Sequence, residues 1–171
     1  KGEQWMMANI SAPVFFVARM EDFVPFVQAR VNDPATGKPD PAKLKAYNDA
    51  HPESLRQGAY LAKSAVPASY ASAQYWGVNA FELVNAKGQR QFVRWQFVPS
   101  GGVVGLTDEQ LKGLSDNFLF DELRKRVAEG AVSFDFKLQL AQAGDNLTDP
   151  TQTWPDSRPV VPAGTLVIDK V

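Results

Sequence analysis

The chain has 171 residues, 44% hydrophobic and 22% charged, the ordinary mix of a folded domain rather than of a disordered or fibrous chain. Its 18 basic and 19 acidic residues leave a net charge of −1, so no field draws in nucleic acid or an anionic membrane. The lack of cysteine excludes disulfides, thiolate nucleophiles, zinc ribbons and iron–sulfur clusters, and the longest apolar stretch, residues 12–18, is far short of the roughly 20 that a membrane-spanning helix needs.

The opening Lys1-Gly2-Glu3-Gln4-Trp5 reads as the middle of a longer polypeptide. Residues 5–19, rich in Met, Val and Phe, are expected as strand, with Pro13 marking a break. Glu21 and Asp22 ahead of Phe23, Val24, Phe26 and Val27 predict a short helix. Three prolines and a glycine within 32–41 argue for an exposed loop, and 42–64 reads as two helices broken at His51-Pro52.

From Gln74 the hydrophobic period becomes 2. Residues 74–85 and 89–98 are expected to form a hairpin around 86–88. Thr107-Asp108-Glu109-Gln110 is a capping box opening a helix, and 121–129 is a second helix with Glu122 and Arg126 one turn apart. Residues 132–140 alternate so regularly that one dry and one wet strand face are predicted, and after a polar stretch from 144 to 159 the chain ends in strand 160–171. The expected class is α+β, with about five or six long antiparallel strands and inserted helices. Phe81, Phe92, Phe97, Phe134 and Phe136 suit a barrel interior or the seat of a bulky ligand.

His51 is the single histidine, so no histidine-based metal cluster can form, and the carboxylates show no spacing that would pair two of them across a cleft. Gly101-Gly102 reads as a tight turn rather than a phosphate loop, because no Lys-Ser/Thr follows. The glycosylation sequons at Asn9 and Asn146 are short enough to arise by chance, and the tyrosines are read as amphipathic core residues. Phe15, Phe16 and Phe23 could line a flat cavity and stack on a planar macrocycle.

The residues also carry a family resemblance. Asn9-Ile10-Ser11-Ala12-Pro13-Val14-Phe15-Phe16-Val17, with Asp22-Phe23 and Pro25-Phe26 downstream, resembles the stretch of haem catalases in which a Thr-Pro-Ile/Val-Phe-Phe strand runs into a helix. His51-Pro52-Glu53-Ser54-Leu55 resembles the Arg-Pro-Glu-Ser segment, and the run from Tyr75-Trp76-Gly77 to Phe81 and Asn85 resembles the Tyr-Gly-x-x-x-Phe-x-x-x-Asn strand. Trp154-Pro155 and Pro162-Ala163-Gly164-Thr165-Leu166 resemble the close of the catalase core. Within the family, Gly77-Val78-Asn79-Ala80-Phe81 and Leu119-Phe120-Asp121-Glu122-Leu123 are similar to the short catalase-related haem peroxidases.

The resemblance implies an antiparallel β-barrel with inserted helices, of which residues 1–171 supply a partial core: the second half of the barrel, helical insertions and the start of the wrapping segment. It implies haem b as cofactor and hydrogen peroxide as substrate, with organic electron donors as a further class. The family's distal histidine precedes the matched region and its iron-ligating tyrosine follows it, so this segment alone is expected to be inactive. Among cofactor-binding positions, Phe23 matches the phenylalanine packed on the distal haem face, Phe15 one lining the approach, and Asn79 the place of a proximal-side histidine in larger catalases. Alignment through Pro13 brings Ser11 near the distal asparagine, leaving Asn9 as the distal candidate; no metal ligand is assigned in this chain. Arg56 and Asp156 replace histidines at positions of nicotinamide contacts, so no bound nicotinamide is expected.

Incomplete barrels expose unpaired strand edges, which opens two partnerships, a homo-oligomer and the remaining parts of the same polypeptide. The alternative function is a non-catalytic β-barrel binding a hydrophobic ligand or protein partner. The compartment is unassigned, periplasmic or cytoplasmic in a bacterium.

Overall fold

The computed structural model describes Gly2 and residues 6–171. Its frame is a five-stranded antiparallel sheet: β2 (Tyr75–Trp76) and β3 (Phe81–Val84) both pair with β4 (Arg90–Pro99), β4 with β6 (Val132–Leu140), and β6 with β7 (Val160–Ile168). A second, two-stranded ladder joins β1 (Val66–Pro67) to β5 (Gly105–Leu106). Helices α1 (Phe23–Gln28), α2 (Pro41–Ala50), α3 (Leu55–Leu61), α4 (Asp108–Leu111) and α5 (Phe118–Glu129) fill the connections. The result is the expected α+β arrangement of antiparallel strands and inserted helices. The sheet is open: among the described residues no ladder joins β7 to β2 or β3.

The β3–β4 hairpin forms where the turn chemistry placed it. The Asn85 side chain accepts from the N–H groups of Lys87 and Gln89, and Gly88 takes the positive φ of 76° that closes the turn. Other predicted elements meet physical corrections. Trp5 lies outside the described residues, and 6–19 is not a strand: Ile10 makes one bridge to Trp76 and residues 11–14 bend. That segment is instead pinned from afar, its Phe15 N–H donating to the Pro150 carbonyl at 2.8 Å and Gln57 Nε2 donating to the Val14 carbonyl at 3.0 Å.

The strand expected over 74–85 is cut into β2 and β3 by a loop at 77–80: Trp76 pairs with Gln96 and Phe81 with Val93, so four residues on this side pass only two on β4 and must loop out. Pro41 belongs to α2 rather than the loop, sitting in its first turn behind the Asp40 cap. Helix α5 starts three residues earlier than residue 121, at Phe118, and the Glu122–Arg126 bond holds at 2.7 Å. The capping box at Thr107 forms, but its helix ends after one turn.

The centre of the core is Trp95 and Phe97 on β4 with Val132 and Phe134 on β6, flanked by Met7, Ala71, Tyr75, Leu123 and Val127. Strand β6 is less two-faced than its alternation suggested, with Val132 and Phe134 buried and the rest half-covered on both faces. No helix among the described residues is long and apolar enough to cross a membrane.

Candidate functional site

The bend at 11–19 and the turn into α1 bring four phenylalanines together. Ala12, Val14 and Val17 point inward and are buried, which leaves Phe15 and Phe16 half-exposed beside them. Phe16 is the hub, its ring centroid 4.2 Å from Phe15, 5.3 Å from Phe23 and 4.4 Å from Phe26. Phe26 meets Tyr47 edge-on at 5.8 Å, and Tyr47 stacks on His51 at 4.5 Å. The Arg30 guanidinium lies 3.6 Å over the Phe26 ring and donates to the Asn48 side chain at 3.0 Å, so a cation caps the aromatic row from behind.

The structure therefore joins two of the sequence-predicted residues, Phe15 and Phe23, through one shared ring. Phe23 keeps 37% of its surface exposed and continues into Met20, Val24 and Val27, which are more exposed still. This apolar face is unusual for a helix in contact with water.

Asn79 lies elsewhere, exposed on the 77–80 loop, and its amide makes no hydrogen bond among the described residues. Asn9 is committed at both ends of its side chain: Oδ1 accepts from the Trp95 indole N–H at 2.7 Å, and Nδ2 donates to the Met7 carbonyl at 2.8 Å. The amide oxygen is thereby spent on the indole, while Nδ2 keeps a second N–H beyond the one given to Met7.

Two phenols are held protonated. Burial pushes Tyr75 up to about 12, with Tyr70 adding to it, while its hydroxyl donates to the Tyr70 carbonyl at 2.9 Å. Burial also raises Tyr47, reinforced by Asp22. Among the described residues no group of three or more His, Asp or Glu side chains could hold a metal ion.

Sequence reasoning missed a second cluster. Arg94, 5% exposed, donates to the carbonyls of Gln152 and Asp149 and covers the Trp154 ring at 4.6 Å. Arg56 donates to the Thr151 hydroxyl at 3.0 Å, and that hydroxyl donates to Asp149 at 2.6 Å. Burial alone would raise the Asp149 carboxyl, but hydrogen bonds from the Thr151 hydroxyl and N–H outweigh it and leave the group below the usual range. The signal available in the sequence was a charged residue between Val93 and Trp95, within the hydrophobic run of β4.

A family model described as "Catalase" matches residues 2–171. The chain belongs to the catalase family. It is 43% identical over 162 residues to a catalase-related peroxidase of Synechococcus elongatus, covering 95% of this chain and 48% of that protein. It is 35% identical over 133 residues to a catalase-related peroxidase of Mycolicibacterium paratuberculosis, covering 77% and 42% respectively. Among solved structures it resembles a fungal catalase (TM-score 0.82, 20% identity, 96% of this chain and 36% of that one). A bacterial catalase is similar at TM-score 0.79 and 22% identity, with 94% and 34% covered. The chain spans about half the length of the curated relatives it matches.

Catalase-family membership implies a haem, and the residues can be tested against one. The aromatic face built on Phe16, left open at Phe23, fits a flat apolar ring. No tyrosine here is assigned to its iron: the Tyr47 and Tyr75 hydroxyls are turned to the carbonyls of Asp22 and Tyr70.

Proposed function

We propose that the full-length protein decomposes hydrogen peroxide at haem b, as catalase or as a peroxidase with organic electron donors, and that residues 1–171 furnish the second half of its barrel and one wall of the cofactor site. The observation that carries the reading is the phenylalanine group around Phe16 with Phe23 open to one side, in a chain whose relatives are named catalase-related peroxidases. Haem supplies the redox-active iron at which the peroxide O–O bond is cleaved.

The residues here do the surrounding work. Phe15 and Phe23 cover one face of the ring by dispersion and exclude water from it, which strengthens every polar contact made inside the site. Asn79, with two uncommitted N–H donors, suits a carboxylate at the edge of the macrocycle. The open edge of β7, whose Val160, Val161, Leu166 and Val167 are exposed, suits pairing with the rest of the polypeptide or with a second copy.

The test is direct. Full-length protein should purify with, or take up, one haem per chain, show a Soret band, and evolve oxygen or oxidise a phenolic donor on addition of peroxide. A colourless protein indifferent to haemin would leave the second reading, a hydrophobic-ligand barrel. That reading rests on the 540 Å³ cavity among Met7, Tyr75, Phe97, Leu123 and Phe134, and it predicts retention of a fluorescent apolar probe instead.

A further inference from the structure

The loop at 77–80 is clamped at both ends by one side chain. At its start, the Gly77 N–H donates to the Trp95 carbonyl at 3.0 Å, and the indole lies so close over Gly77 that a Cβ there would fall on the indole nitrogen. At its far end the Phe81 ring stacks on the same indole, centroids 3.9 Å apart and planes within 22°. The two ring contacts, over Gly77 and with Phe81, depend on the orientation of the indole, while the Gly77–Trp95 backbone bond continues the ladder. Packing with Phe97, Val132 and Phe134 confines the ring, and the bond of its N–H, from Nε1 to Oδ1 of Asn9 at 2.7 Å, fixes which edge faces Gly77; the acceptor lies 86 positions earlier in the chain. Asn9 is itself fixed by its bond to the Met7 carbonyl.

We infer that Asn9 is a positioning residue: by accepting the indole N–H it locks Trp95 across Gly77 and Phe81, and so holds the loop that presents Asn79. The role uses Oδ1 toward the indole and one N–H toward the Met7 carbonyl, and leaves the second N–H unused. It differs from a distal amide, which would have to donate a hydrogen bond toward substrate. The part that concerns the cofactor rests on the proposed place of Asn79 at the haem edge; the part that concerns the loop does not.

Substitutions at Asn9 in the full-length protein separate these roles. Asn9→Asp keeps the acceptor for the indole but turns an oxygen toward the Met7 carbonyl, whereas Asn9→Leu removes acceptor and donor alike. Two readouts are taken on each variant: hydrogen exchange of the peptide spanning 77–81, and the rate of haem transfer to apomyoglobin. Asn9→Leu should speed exchange of 77–81 and haem loss by about 10-fold, the size expected when a group that orients a ligand-contacting residue is removed. Asn9→Asp should fall between the wild type and Asn9→Leu in both, because the bond to the indole survives while the bond to Met7 does not.

Adding Asn9→Leu to Asn79→Ala should then change haem loss little beyond Asn79→Ala alone, because both act through one group. Wild-type exchange in Asn9→Leu, or haem loss in Asn9→Asp as fast as in Asn9→Leu, would overturn the inference. Failure of the functional reading looks different: no variant holds haem, yet exchange at 77–81 still follows the acceptor.

Discussion

Trp95 and Phe23 are both aromatic residues packed against phenylalanine neighbours, yet one is 7% exposed and the other 37%. Around Trp95 every surface has a partner: Phe81 on its face, Gly77 against its edge, Asn9 on its N–H, and Phe97, Val132 and Phe134 in the same cluster. Around Phe23 one side is filled by Phe16 and the other faces outward beside Val24 and Val27. The first arrangement is complete as it stands, so its residues hold the fold. The second leaves an apolar face uncovered among the described residues, and it is this face that the proposed cofactor site uses. Substitutions can separate the two cases.

The largest effect is expected at the closed end of that contrast. Trp95→Ala in the full-length protein should cost about 3–5 kcal/mol, the range for truncating a buried large aromatic, and it leaves the Asn9 acceptor without its donor. Urea denaturation followed by circular dichroism measures it. A loss near zero would mean that the cluster around Trp95 is not the core.

Next comes Arg94. The Asn146 and Asp149 side chains satisfy the N–H groups of Thr148, Asp149 and Thr151, so what this loop lacks is donors for its carbonyls, and Arg94 supplies two. Arg94→Met keeps the apolar stem but strands the Gln152 carbonyl and leaves the Asp149 carbonyl only the long bond from the Gln152 N–H at 3.5 Å, at an expected cost of about 1–3 kcal/mol, part of which Arg94→Lys should recover. Equal midpoints for all three proteins would show that water serves the carbonyls as well as Arg94 does.

The uneven legibility of the sequence has the same origin as this contrast. Strand β6 could be read from its alternation, and the β3–β4 hairpin from Asn85 and Gly88, because in both the deciding interaction is between near neighbours in the chain. The helix break at His51-Pro52 was legible for the same reason. The 11–19 segment was misread as strand because its composition is strand-like, while its path is decided by Pro150 and Gln57, which lie far along the chain.

The Arg94 cluster stayed hidden likewise: nothing local says that the carbonyls of 149 and 152 arrive beneath β4. The site residues divide along this line too. Phe15 and Phe23 stand close enough in sequence to be grouped by eye, whereas the engagement of Asn9 by Trp95 spans half the chain.

A third test uses pH on the loop that Arg94 anchors. Asp145, with its side chain 3% exposed, accepts from Arg158 Nε at 2.8 Å and Nη2 at 2.9 Å and from the Gln142 N–H at 2.8 Å. The Arg158 hydrogen bonds chiefly hold its carboxyl below the usual range. A depressed folded-state value means stability that is present above the ordinary carboxylate value of about 4 and is lost as the pH falls through the lower folded value. The wild-type Tm should therefore drop below about pH 4, and Asp145→Asn should lower the Tm at neutral pH while flattening that acid limb. An acid limb unchanged by the substitution would move the titration to Asp149 or elsewhere.

The smallest stability effect is expected at the open end. Phe23→Ala removes a ring that already keeps a third of its surface in water, so the fold should lose under about 1 kcal/mol, well below the cost at Trp95. Haem retention in the full-length protein should suffer far more than stability does, because the face removed is the one left for a partner. The ratio of the two losses is the informative quantity. A loss as large as that at Trp95 would make Phe23 an ordinary core residue of the complete protein, and the functional reading would lose its carrying observation. A small loss of stability together with fast haem loss would mean that the aromatic face around Phe16 is kept open for the cofactor.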